Sequence, residues 1–199
     1  MLAKAGWTLN PKTGILEKKS KGATLTLSFS ISTGDAPELK AVGQILKEAW
    51  NQIGVKVDVL VFEMNDLNQN VIRPRAFDAL LFGEVVGRDA DVYPFWYSSE
   101  RNDPGLNIAE YANSKVDKLL DTARQTKSDT TKKQSYVSFI QEIKKDGPAV
   151  FLYTPNYLYV VQKKVQNISN GELSVPQDRF LGINNWYIET NKVWKIFIK

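Results

Sequence analysis

Residues 23–31 alternate strictly, with Leu25, Leu27, Phe29 and Ile31 on one face and Thr24, Thr26, Ser28 and Ser30 on the other. That period of two predicts a half-buried strand. Val55, Val57, Val59 and Val61 repeat it. Between them the period becomes helical: Leu39, Val42, Leu46, Ala49, Trp50 and Ile53 fall on one stripe. Asp35 is placed as N-cap, Glu38 completes a capping box three residues on, and Gly54 is the stop. Residues 65–72 predict a short helix closed by Pro74, and the apolar run 77–82 a buried strand. Val116, Leu119, Leu120 and Ala123 mark a further helix. Tyr136, Ile140 and Ile143, with Val137 and Phe139 beside them, mark another, begun at Asp129 or Thr130 and stopped by Gly147-Pro148. Residues 149–153 and 157–161 read as strands, and residues 186–188 as one more after the pattern weakens at Val165. At the other end, Leu2 to Ala5 read as a last helical turn stopped by Gly6, Trp7 and Leu9 as packing back on the core, and Asn10 to Gly14 as a turn. The polar stretch to Gly22 reads as a hairpin arm or loop.

Strand, helix, strand, helix, strand in that order implies an α/β layer with a mainly parallel sheet. Ligands of such sheets bind at loops beyond the carboxyl ends of strands. The irregular segment from Gly83 to Tyr111 follows a predicted buried strand and is rich in Gly, Asp, Pro and aromatic residues. A loop that long inside a domain is unusual and often functional.

The 199 residues suit one large domain, or one domain plus a tail that belongs elsewhere. With 43% hydrophobic and 24% charged residues the composition is that of an ordinary globular chain. Cys and His are both missing, which removes disulfides, the usual zinc ligands, the thiol nucleophile and the commonest general base. No cofactor is implied. The net charge of +4 is small, and Lys18-Lys19-Ser20-Lys21 reads as a solvated loop rather than a phosphate contact, so no nucleic-acid partner is expected. No apolar run is long enough to cross a membrane, so no direct membrane insertion is expected, and the first six residues do not read as a signal peptide.

Seven segments in this order carry a family resemblance: Leu2-Ala3-Lys4-Ala5-Gly6-Trp7; Trp50-Asn51-Gln52-Ile53-Gly54-Val55-Lys56-Val57; Phe77-Asp78-Ala79; Asp89-Ala90-Asp91-Val92-Tyr93; Asn107-Ile108-Ala109-Glu110-Tyr111-Ala112-Asn113; Val116-Asp117-Lys118-Leu119-Leu120; and Asp146-Gly147-Pro148-Ala149-Val150-Phe151-Leu152-Tyr153. Together they resemble the carboxy-terminal half of the peptide/nickel-type (extracellular family 5) solute-binding proteins of ABC importers. The resemblance implies a periplasmic-binding-protein-like (type II) lobe, a mixed, mainly parallel sheet flanked by helices. It implies that residues 1–165 form the second, ligand-binding lobe, and that residues 166–199, with Trp186, Tyr187, Ile188, Trp194, Ile196, Phe197 and Ile198, return to a first lobe that is not in this sequence. It further implies an extracytoplasmic setting (periplasm or cell surface), a lipoprotein parent whose signal lies upstream, and an ABC permease as partner. The function implied is capture of a solute, an oligopeptide or related small molecule, by a closing clamp without chemistry.

In the family the loop after Gly83 lines the ligand cleft. The resemblance therefore places Glu84, Val85, Val86, Arg88, Asp89 and Trp96 as ligand-contact residues. The bland alternatives are that Arg88, Asp89 and Asp91 pair among themselves to staple the loop, and that Tyr93, Phe95, Trp96 and Tyr97 are packing. Peptide-binding members commonly carry an Asp where Val86 stands, to pair with a peptide's free amino group. Val86 cannot do so, which implies ligands not chosen by an α-ammonium. Two other functions are weighed: a structural or interaction module without solute binding, and a Mg²⁺ enzyme using Glu84, Asp89 and Asp91. The latter lacks any Gly-rich phosphate loop.

Overall fold

Lys21 and Gly22 take positive φ of 45° and 83°, as the tight hairpin turn that matches strand twist requires. That turn folds β2 (Leu16–Ser20) antiparallel onto β3 (Ala23–Thr26), and β1 (Thr8–Leu9) pairs with the other edge of β2. The arm expected before Gly22 is therefore a strand. The structure, a computed structural model, describes residues 1–168, 171 and 173–189. The chain divides into two units, Met1–Glu84 with Pro94–Asp117, and Val85–Tyr93 with Lys118–Lys199.

In the first unit the alternating run 23–31 is not one strand. It breaks at Leu27, whose N–H donates to the Leu16 carbonyl (2.8 Å) while its own carbonyl accepts from the Lys56 N–H (3.0 Å). The backbone thus changes sheets at a single residue: β3 stays with β2, and β4 (Ser28–Gly34) enters a parallel sheet of order β5-β4-β6, with β5 at Lys56–Phe62 and β6 at Ala79–Leu81. Only three residues of the predicted strand 77–82 join the ladder. Asp78, just before it, accepts from the Ser30 N–H and Oγ–H, both at 2.8 Å, and so fastens the start of β6 to β4. These bonds hold the Asp78 carboxyl below the usual carboxylate range.

Helix α1 (Pro37–Gln52) crosses from β4 to β5. Ile31, Val55, Val57, Leu81 and Leu16 form the buried cluster against which Leu39, Val42 and Leu46 pack. Gly43 is buried in α1, where a Cβ would already lie 3.1 Å from Val59 Cγ1, so the missing side chain sets how closely helix and sheet approach. Two expectations need correction. The N-cap is Ala36 with no side-chain bond, and Asp35 lies one residue before that cap, because Pro37 occupies the first helical position where its fixed φ is already correct. Trp50 and Ile53 are 40% and 53% exposed; Trp50 leans edge-on against Phe29 (centroids 5.6 Å, 86°) and is not a core residue.

Beyond β5, the Glu63 carboxylate caps α2 (Met64–Asp66), accepting from the Asn65 and Asp66 N–H groups, and the chain continues as a π-helical turn over Leu67–Ile72. Leu67, Val71 and Ile72 are buried with Phe62, Phe77, Leu80 and Ile108 around them. Leu80 lies here while Ala79 and Leu81 join the α1 cluster. Neighbouring strand residues point to opposite faces, so the parallel sheet is covered by helix on both sides. The short helix α3 (Tyr93–Trp96) and α4 (Ser114–Gln125) follow.

In the second unit, α5 (Asp129–Asp146) starts from Ser128, whose Oγ accepts from the Thr131 N–H, and ends at Gly147 with φ +64°. Its buried row is Ser135, Phe139 and Ile143; Ile143 is buried as expected, while Val137 and Ile140 are half exposed and Phe139, expected beside the row, lies on it. Residues 149–153 and 157–161 form no strand, and Val150, Leu158 and Val160 are 83–94% exposed. An apolar run becomes a strand only where another strand bonds its N–H and C=O groups, and none of the described residues does. Val165–Gln166 (β7) and Tyr187–Ile188 (β8) pair antiparallel, which places a strand at the end of the predicted 186–188 segment. Residues 190–199, with Trp194, Ile196, Phe197 and Ile198, lie outside the described residues.

Candidate functional site

The first unit ends its parallel strands in a partly apolar surface: Leu60, Val61, Met64 and Phe82 are each 40–47% exposed. Glu84 follows β6 by three residues. Its surface is exposed, yet desolvation by the surrounding chain pushes its carboxyl up to about 7.

The segment 94–117 of this unit is irregular yet held by side chains. Trp96 is 6% exposed, its ring edge-on to Tyr111 (6.3 Å, 75°). Asn107, fully buried, donates from Nδ2 to the carbonyls of Tyr97 (3.0 Å) and Tyr111 (2.9 Å) and accepts the Tyr111 N–H at Oδ1 (3.1 Å). Asn113 serves as N-cap of α4, accepting the Lys115 N–H (2.9 Å), as the N-cap preference of Asn leads one to expect. Asp117 accepts from both the N–H and Oγ–H of Ser98. Arg75 donates to the carbonyls of Ile72, Arg101 and Gly105, and Arg73 pairs with Asp103.

In the second unit the loop 85–93 is built around one turn. The Ala90 N–H donates to the Gly87 carbonyl (2.9 Å), which puts Arg88 and Asp89 at the tip. Both are exposed, and Arg88 has no ion-pair partner among the described residues. Val85 is 64% exposed and Val86 half-buried. Asp91 is turned the other way. Its Oδ2 accepts from Arg124 Nε (2.9 Å) and from a terminal guanidinium nitrogen, and its Oδ1 accepts from the Tyr93 N–H (3.1 Å). The Arg124 guanidinium also lies 3.8 Å above the Tyr93 ring. The hydrogen bond from Arg124 holds the Asp91 carboxyl below the usual range, although burial works against it. Burial, then the charges of Asp91 and Asp89, push the Tyr136 phenol up.

The ion pair of this loop thus joins Asp91 to Arg124 on α4, not to Arg88. Four of the expected contact residues, Val85, Val86, Arg88 and Asp89, fall on one short loop, while Glu84 and Trp96 belong to the first unit. Among the described residues no three acidic side chains gather as a metal-ligand set. Arg124 and Asn107 were not singled out as functional from the sequence. A single Arg on a helix and a single Asn in a loop have no periodicity that would mark them.

The chain is similar to the oligopeptide-binding protein AppA of Bacillus subtilis (strain 168), with 27% identity over 190 residues, covering 94% of this chain and 33% of that protein. It is similar to the solved structure of AppA from Bacillus subtilis in complex with a nonapeptide, with 26% identity and a TM-score of 0.74, over 95% of this chain and 36% of the other. The structure of NikZ from Campylobacter jejuni in complex with Ni(L-His) shares the fold, with a TM-score of 0.68 and 24% identity over 93% of this chain and 37% of that one. No protein-family model matches the chain. The chain spans about a third of the length of the relatives it matches.

Proposed function

We propose that this chain, a homologue of oligopeptide-binding protein AppA and other peptide/nickel-type (extracellular family 5) ABC solute-binding proteins, is the carboxy-terminal ligand-binding lobe of a two-lobed clamp. Residues 1–165 are the lobe, and residues 166–199 return to a first lobe elsewhere in the parent polypeptide. The clamp works outside the cytoplasm, closes on an oligopeptide or related small solute and hands it to an ABC permease. It makes and breaks no bond.

The observation that carries this reading is the loop 85–93. A turn closed by one backbone hydrogen bond presents a free guanidinium and a carboxylate side by side in water, beside an exposed Val85. Charges meant only to staple a loop would be paired, as Asp91 is. Val85, Val86, Arg88 and Asp89 are the contacts offered by this loop, and Glu84 the one offered by the first unit; Trp96, 6% exposed and edge-on to Tyr111, is read as packing. With Val at position 86, no carboxylate stands there to hold a peptide ammonium, and Arg88 repels one. The ligand is therefore neutral or anionic, or a peptide held by its backbone.

Amide NMR on the 199-residue chain tests this. A nonapeptide and its N-acetylated form should both shift the amides of residues 85–90, with affinities within about threefold of each other. A loss of about tenfold or more on acetylation would show an ammonium anchor and point to Asp89 or Glu84. Shifts confined to other residues would contradict the assignment of the loop.

A further inference from the structure

We infer that Arg124, on α4, is a positioning residue for the ligand loop: through Asp91 and the Tyr93 ring it holds the Arg88–Asp89 turn in its presenting conformation. The inference rests on the reading of loop 85–93 as a ligand contact, but the lock can be tested without any ligand. Both Asp91 oxygens are engaged. Arg124 donates twice to Oδ2, and the Tyr93 N–H donates to Oδ1. The same guanidinium covers the Tyr93 ring at 3.8 Å. One side chain from a regular helix therefore grips two residues of an irregular loop 31 to 33 positions earlier in sequence.

The consequence for specificity is a division of labour between two carboxylates two residues apart. Asp91 faces a guanidinium that donates twice to its Oδ2 while its Oδ1 accepts the Tyr93 N–H, so its hydrogen bonds go to the loop and helix. Asp89, whose Oδ1 lies 3.5 Å from the Asp91 N–H, keeps its second oxygen to accept from water or from a neutral N–H of the solute. Gly87 fits the same plan, since a Cβ there would lie 3.1 Å from Asp89 Oδ1 and press on the carboxylate the turn presents. Lys132 and Tyr136 of α5 also face Asp91, and neither donates a hydrogen bond to it. Arg, with a planar fork and a stackable face, makes both contacts at once, which Lys cannot do.

The test compares the parent chain with Arg124→Ala, Arg124→Lys and Asp91→Asn by amide hydrogen exchange and by titration of the Asp91 carboxyl. In Arg124→Ala the Ala90 and Tyr93 amides should exchange about tenfold faster or more. The amides of α5 at Phe139 and Ile143 should not change. Asp91 should then titrate higher than in the parent, because the hydrogen bond that lowers it is gone while its burial remains. Arg124→Lys should restore the titration in part and the loop protection little. Unchanged loop exchange overturns the inference. So does equal acceleration in loop and α5, which would make Arg124 a general support of the unit. If Arg124→Ala does not fold, Asp91→Asn decides by the same loop-to-α5 comparison. If the lock holds but Arg88→Ala and Asp89→Ala leave nonapeptide-induced shifts unchanged, the ligand assignment of the loop fails while the lock stands.

Discussion

Replacing Asn107 by Leu keeps nearly the same volume and removes three buried hydrogen bonds. The Tyr97 carbonyl keeps the Glu100 N–H (3.0 Å) but loses its second donor, the Tyr111 carbonyl loses the Asn107 amide, and the Tyr111 N–H loses the Asn107 oxygen. The site is fully buried, so Leu brings no new partner and water does not reach the vacated groups without movement of the loop. Each stranded buried group costs about 1–3 kcal/mol. Tyr97 keeps one donor and the half-buried Tyr111 can relax toward solvent, which brings the expected total to roughly 1–3 kcal/mol. Asn107→Asp should be worse at neutral pH, because it turns a donor into a charged oxygen facing two carbonyl oxygens. Urea unfolding followed by tryptophan fluorescence reads the loss as a lower midpoint at unchanged slope. The Tyr111 amide should lose its exchange protection even where the rest of the unit keeps it. A midpoint corresponding to less than about 0.5 kcal/mol from the parent would refute the claim that Asn107 holds segment 97–111 together.

Gly105→Ala should destabilise the same segment by roughly 1–3 kcal/mol, since its Cβ would run into the Glu100 carbonyl; unaltered thermal unfolding would show that the turn can open at no cost. Asp78 titrates below its ordinary range in the folded chain because Ser30 donates to it twice, so its contribution is complete at neutral pH and is lost as pH falls through the folded value. The stability gap between the parent and Asp78→Ala should accordingly be constant near neutrality and shrink in acid; a gap that grows as pH falls would reverse the sign of the argument.

The parts of this fold that are legible in sequence are those set by local periodicity. Val55, Val57 and Val59 lie where alternation puts them, and Leu39, Val42 and Leu46 are the inner row of α1. Leu27 shows the limit: the period of two runs straight through it, yet the two halves of the run belong to different sheets, because the partners of its N–H and C=O come from distant segments. Trp50 continues the helical stripe, but a stripe predicts direction and not cover, and its ring lies edge-on to Phe29 and stays 40% exposed. Residues 149–161 are apolar enough for strands and have no ladder partner among the described residues. Of the site, the loop after β6 and its exposed charges were accessible to the sequence. The grip of Arg124 on Asp91 was not, because it is a contact across 33 residues with no repeat or spacing to announce it.

The central claim, that this chain supplies one side of a clamp, is tested most directly by calorimetry of the 199-residue chain with a nonapeptide. A complete clamp binding at ~1 μM has about −8 kcal/mol to divide between its two sides. One side alone still meets most of the cost of ordering the ligand, so binding should fall to roughly millimolar or weaker. Weak binding of that order, with NMR shifts centred on residues 85–90, is the predicted result. Micromolar affinity from this chain by itself would contradict the account, because the site would then be complete without a second lobe.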